Sequence, residues 1–259
     1  MHTSPQINTK TTLTFGMRKT VSLRRIVFKF KNPKVKVIKF EPDKPYFPKV
    51  KTMRTSVPEW YRKGVRQVEP DNQVRSPQLT IKSCVPFLDA MTSGYYIPLP
   101  VDIYVTQDNG LPYYSWKDPS DVYVTVRNPD SAQGLPIPPG YANQYASWKT
   151  AIAIELPKGY SAVITHPLNR TDLPFLTLSG IVDNYTMYSG IVPFFMQKDF
   201  VGLIPQGTPI AQIIPFKRES WVAEETPGLY EKSDIVAGKA LHVFSGWYRN
   251  NVWQKKDYR

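Results

Sequence analysis

A single cysteine, Cys84, rules out an internal disulfide framework and any cysteine-based zinc cluster. It sits in the run Ser83-Cys84-Val85-Pro86-Phe87-Leu88, where the expectation is a small buried hydrophobe. The three histidines, His2, His166 and His242, lie too far apart for metal-ligand spacing, and His166 between Thr165 and Pro167 reads as a packed loop histidine. Neither a nucleophile elbow, nor a phosphate-cradling glycine loop, nor a dinucleotide fingerprint occurs. Paired carboxylates occur only as Glu224-Glu225. No stretch approaches the ~18 apolar residues of a membrane span. The start, Met1-His2-Thr3-Ser4-Pro5-Gln6, opens no apolar signal core, so a soluble intracellular protein without membrane contact is expected.

Glycine is also scarce, 14 against 25 prolines, while tyrosine reaches 16 in 259 residues. Proline- and aromatic-rich chains with few helix-forming runs build short strands joined by fixed turns, so the expected class is all-β. Strand patterns fall at 95–105, 122–126, 151–156, 161–165, 180–182, 190–195, 201–204 and 210–216, punctuated by Pro, Gly and Asn-Asp clusters. Residues 128–142 read as a long Pro-Gly loop, and Pro58-Glu59 through Gly64 as one helical turn. Ile235-Val236, Ala240-Leu241, Val243-Phe244, Trp247-Tyr248 and Val252 recur at helical spacing. This predicts a C-terminal helix ending in Gln254-Lys255-Lys256. The expected organisation is an extended basic arm over 1–69, a β core over 70–218 and a helical extension over 219–259.

The net charge of +12 is unevenly placed. Residues 1–69 carry 17 Lys+Arg and 4 Asp+Glu, a balance of +13, and residues 70–259 carry 16 and 17, a balance of −1. Within the arm Arg24, Arg25, Lys29, Lys31, Lys34, Lys36 and Lys39 are interleaved with apolar residues. On an extended chain Lys29, Lys31, Lys34 and Lys36 would face one way and Phe28, Phe30, Val35 and Val37 the other. Three readings stay open: a solvated edge strand guarded by lysines, an arm threading along an acidic neighbouring subunit, or a phosphate-binding stripe for nucleic acid. The arm lacks the spaced stacking aromatics of a single-strand binder.

A series of segments occurs in a telling order. Glu155-Leu156-Pro157-Lys158-Gly159-Tyr160-Ser161 precedes Pro167-Leu168-Asn169-Arg170. Leu178-Ser179-Gly180-Ile181-Val182-Asp183 is followed by Tyr188-Ser189-Gly190, then Ile204-Pro205-Gln206-Gly207-Thr208-Pro209-Ile210-Ala211-Gln212-Ile213-Ile214. Upstream stands Met91-Thr92-Ser93-Gly94-Tyr95-Tyr96-Ile97-Pro98-Leu99. Over 90–216 this resembles the motif series of trimeric dUTPases and dCTP deaminases. The resemblance implies a β-clip core, a homotrimer, and Asp183, Arg170 and Tyr188 as nucleotide-binding candidates.

The same comparison implies lost chemistry. Asp183 stands where the family's water-activating carboxylate does, yet Asp183-Asn184 also suits a turn. The family's second acid is replaced by Ile97-Pro98, its Arg-Ser by Asn169-Arg170, and its Asp-Arg by Thr208-Pro209. A glycine-rich closing arm is not recognisable. The long aromatic and basic extensions resemble those of viral structural proteins, tailed phages above all. The expected function is therefore a non-catalytic dUTPase-like trimer in a particle, located in the virion or host cytoplasm, with Trp60, Tyr61, Trp247 and Trp253 as anchors to other subunits. It would carry no metal or cofactor. The alternative is a nucleotide-binding protein or a divergent dUTP/dCTP pyrophosphatase using magnesium. A third reading is a nucleic-acid-associated protein acting through residues 1–69.

Overall fold

The computed structural model describes residues 35–70, 73, 77–183, 190–242 and 247–259. The chain divides into two units, Met1–Val35 and Lys36–Arg259. The second unit is mostly β-sheet. Its strands in chain order are β1 Lys39–Pro42, β2 Lys51–Thr52, β3 Gln67–Val68, β4 Gln78–Leu79, β5 Tyr95–Pro98, β6 Ile103–Asp108, β7 Leu111–Ser115 and β8 Val124–Val126. They continue with β9 Tyr141–Lys149, β10 Ile152–Glu155, β11 Tyr160–Thr165, β12 Phe175–Thr177, β13 Gly180–Val182, β14 Ile191–Gln197, β15 Gly202–Ile204 and β16 Pro209–Lys217. Among the described residues α-helices accompany them at α1 Glu59–Lys63, α2 Val85–Thr92, α3 Leu229–His242 and α4 Trp247–Asn251.

The largest sheet has the order β13-β11-β16-β5-β2, and all its pairings are antiparallel. In β16 the run from Pro209 to Ile213 is buried throughout, as a strand flanked on both sides and covered on both faces should be. A second sheet runs β12-β14-β9-β8 and a third β15-β6-β7. One core joins them. At its centre Trp148 and Phe194 stack with ring centroids 3.8 Å apart and planes 9° from parallel, and Phe175 meets Trp148 edge-on. β6 shows the alternation of a half-buried strand: Ile103 and Val105 are inward, Tyr104 and Thr106 outward.

Several sequence expectations need correction. The run 95–105 is two strands, because β5 ends at Pro98 and β6 begins at Ile103. Residues 85–92 form a helix with proline in its first turn, where a missing N–H costs nothing. Cys84 precedes that helix and is exposed, not a buried hydrophobe. β9 takes up the end of the expected loop 128–142 and continues to Lys149. At the C-terminal end helix is described over Leu229–His242 and Trp247–Asn251, and Gln254–Lys256 lies beyond it. The arm expected over 1–69 also divides. Residues 39–42 pair with β10 and residues 51–52 with β5, so both are built into sheets. In β1 the inward residues are Phe40 and Pro42, while Val35 and Val37 are 82% and 64% exposed and share no covered face.

Candidate functional site

Of the resemblance segments, 178–183, 155–161, 204–214 and 91–99 supply four neighbouring strands of one sheet, β13, β11, β16 and β5 in that order. Strand β11 organises the candidate residues, because one lies at each of its ends. Antiparallel pairing sets Ala162 opposite Val182, which brings the next residue, Asp183, beside Ser161 near the start of β11. There Asp183 accepts a hydrogen bond from Ser161 Oγ at 2.5 Å and lies 3.8 Å from the Arg218 guanidinium, with its side chain 69% exposed.

At the other end β11 runs into a tight turn closed by Arg170 N–H donating to the Pro167 carbonyl at 3.1 Å. Asn169 holds the left-handed φ of 60° that this turn requires, and its Nδ2 donates to the Phe87 carbonyl at 3.1 Å. Arg170 is buried, and each of its three guanidinium nitrogens donates a hydrogen bond. Nε and Nη2 each donate to Asp172 at 2.9 Å, and Nη1 donates to the Ser56 carbonyl at 3.1 Å. Burial opposes ionisation of Asp172, but the two-pronged Arg170 contact outweighs it and holds the carboxyl below its ordinary range.

His166 belongs to the same turn. The Thr177 N–H donates to Nδ1 at 3.3 Å, so Nε2 carries the proton and donates to the Arg170 carbonyl at 3.1 Å. Burial, the largest influence, keeps the imidazole below its usual pKa, and the neutral tautomer is the one these bonds require. It is a packed loop histidine, as its sequence position suggested.

Arg170 and Asp183 therefore do not meet within the chain. The strand from Ser161 to His166 separates them by ~16 Å at the usual rise of ~3.3 Å per residue. Tyr188, the third nucleotide candidate, lies outside the described residues. No group of three or more His, Cys, Asp or Glu side chains able to hold a metal occurs among the described residues.

The arginine's role can be tested through stability. Arg170→Ala would leave Asp172 and the Ser56 carbonyl without their donors. Because the Asp172 side chain is 35% exposed, the expected loss is about 2–3 kcal/mol, below the ~3–5 of a fully buried pair. Arg170→Lys should not restore it, since one ammonium cannot reproduce the fork. Denaturation midpoints of the two variants check this. An unchanged midpoint for Arg170→Ala would mean that the guanidinium is not a structural clamp.

Of the proposed anchors, Tyr61 is buried in its own chain. It stacks on Phe87 with centroids 6.1 Å apart and donates its hydroxyl to the Lys82 carbonyl at 3.2 Å. Trp60 beside it is 42% exposed. Trp253 donates its indole N–H to Asp89 Oδ2 at 2.7 Å, and Lys256 pairs with the same carboxylate. The last residues return to β5, where Tyr95 donates its hydroxyl to the Arg259 carbonyl and Tyr258 meets Tyr95 edge-on. Trp247 lies in α4. Of the basic arm, Arg24, Arg25, Lys29, Lys31 and Lys34 lie outside the described residues. Lys36 stands 5.6 Å from the centre of the Tyr160 ring, and Lys39 forms a cross-strand ion pair with Glu155 at 2.8 Å.

Sequence reasoning did not single out two features. Asp121 accepts from Lys44 and from the Tyr123 hydroxyl while the Trp116 indole donates to its backbone carbonyl. This clasp holds the Asp121 carboxyl below its usual range, chiefly through Lys44, and burial together with Asp121 pushes the Tyr123 hydroxyl up to about 12. The second feature is the stretch after β16. Every residue from 216 to 236 is exposed, with Trp221 at 85%, Val222 at 93% and Tyr230 at 79%.

No protein-family model matches the sequence, and no curated protein matches it. A solved structure of a mutant dUTPase from phage phi11 of S. aureus, described with a structural Mg(II) ion, is similar at 13% identity and a TM-score of 0.24, over 41% of this chain and 97% of that one.

Proposed function

We propose that the chain is a non-catalytic, dUTPase-like β-clip subunit that forms a homotrimer and serves as a building block of a larger assembly, a virus or phage particle. The observation that carries this reading is the bare stretch after β16. A tryptophan and a valine at 85% and 93% exposure, in a segment without helix or strand, are costly to leave in water and suit a surface covered by another subunit. The resemblance segments 91–99, 155–161, 178–183 and 204–214, neighbours in one sheet, support the β-clip part.

The commitment of Arg170 to Asp172 and Ser56, and its distance from Asp183, weigh against the pyrophosphatase alternative. So does the exposed setting of Asp183, whose contacts are a hydroxyl and a guanidinium. The full chain incubated with dUTP or dCTP and magnesium is therefore expected to release no pyrophosphate above the buffer rate. Release that Asp183→Asn abolishes would replace the non-catalytic reading with the enzymatic one.

A further inference from the structure

The exposed stretch has a distinctive charge. Residues 219–236 contain Glu219, Glu224, Glu225, Glu231 and Asp234 against one lysine, Lys232, in a chain whose overall balance is +12. Glu219 pairs with the neighbouring Lys217, an exposed contact that contributes little. Between the acids stand Trp221, Val222, Leu229, Tyr230, Ile235 and Val236, each between 44% and 93% exposed. The stretch thus presents acidic and apolar groups together, and no element among the described residues buries them.

Residues 1–34 have the opposite composition. They contain eight Lys+Arg and no Asp or Glu, with Phe28 and Phe30 alternating with Lys29 and Lys31. Lys36, the first residue of the second unit, is itself exposed. Thirty-four residues can span at most ~110–120 Å, more than enough to reach a neighbouring subunit. Area is adequate too. Trp221 and Tyr230 can each remove ~150–250 Å² from water. With the four aliphatic residues this approaches the ~800 Å² per partner of a specific interface.

We propose that residues 219–236 form a docking strap for residues 1–34 of a second copy of this chain, lysines and arginines meeting the strap's acids and phenylalanines meeting Trp221 and Val222. The proposal rests on the assembly reading above and names the surfaces that carry it. Opposite net charge fixes which segment docks, and the apolar residues supply the area. A contact between two different surfaces of the same chain is head-to-tail, which closes into a ring such as a trimer if the rotation allows.

Two charge-reversed full-length chains test this. One carries Arg24→Glu, Arg25→Glu, Lys29→Glu and Lys31→Glu; the other carries Glu219→Lys, Glu224→Lys and Glu225→Lys. The strap substitutions lie outside every strand and helix, so the β core should be unaffected. In sedimentation at physiological salt, each variant alone should show at least a tenfold weaker self-association than the unaltered chain. Mixed together they should form a complex containing both, because the acidic arm of one now matches the basic strap of the other. Variants that keep the unaltered mass, alone and mixed, would overturn the inference while leaving the assembly reading in place. Restoration only when both reversals share one chain would place the contact within a copy and equally overturn it. An unaltered chain that is itself monomeric would remove both readings.

Discussion

Gly94→Ala is expected to destabilise the chain by about 3–5 kcal/mol, from the left-handed backbone penalty together with overpacking against β16. Gly94 has a φ of +71°, and a Cβ there would stand 2.0 Å from the Ile213 carbonyl oxygen, which belongs to a hydrogen-bonded central strand and cannot turn aside. Gly94 also accepts the Met53 N–H at 3.0 Å, so its displacement would disturb the chain after β2 as well. A denaturant titration measures the effect, and a loss under ~1 kcal/mol, or the gain of ~0.5–1 kcal/mol that replacing a glycine by alanine brings in an ordinary helix or strand, would contradict the close approach. The glycine of the 91–99 segment is thus a backbone requirement of the sheet, whatever ligand the fold accommodates.

Gln212→Leu is expected to cost about 3–4 kcal/mol, because it leaves three polar groups without partners at ~1 kcal/mol or more each. The Gln212 side chain is fully buried. Its Oε1 accepts the Leu168 N–H at 2.8 Å, and its Nε2 donates to the carbonyls of Ala90 at 2.9 Å and Ser93 at 2.7 Å. One amide therefore fastens the end of α2 and the 166–170 turn to β16. Thermal and denaturant unfolding of the variant should both report the loss. A variant of unaltered stability would show that these carbonyls and the Leu168 N–H find other donors and acceptors, and would remove Gln212 from the framework.

Much of the sheet was legible because it alternates or because it is continuously apolar. β10, β11, β13 and β16 fall close to their expected spans, since Val and Ile dominate them and Pro or Gly bounds them. The β6–β7 hairpin had a signal that went unused. Asn109-Gly110 separates the strands, with φ of 51° and 77°, the arrangement a two-residue turn demands. β9 offered less. Its Ala142, Ala146 and Ser147 are buried by tertiary contacts that small residues of low strand preference do not announce.

The candidate site was legible in its residues and not in their relations. Thirteen positions separate Arg170 from Asp183, a spacing compatible with proximity or with opposite ends of a strand. Only the β11–β13 register decides for the latter. That Arg170 is a clamp followed from no motif, because Asp172 two residues on is a common neighbour in any loop. The anchors show the same limit: an aromatic pair such as Trp60-Tyr61 in a short helix turns one ring inward and leaves the other partly exposed. Trp221, by contrast, stands in a segment where no periodicity marks it, and its exposure became visible only with the fold.

The central claim is that this chain is a subunit of an assembly, and its mass in solution tests that most directly. Sedimentation of the full chain at micromolar concentration and physiological salt should give a species three times the 29.7 kDa chain mass, or a larger closed multiple. A single species at the chain mass, unchanged as concentration rises, would contradict the account.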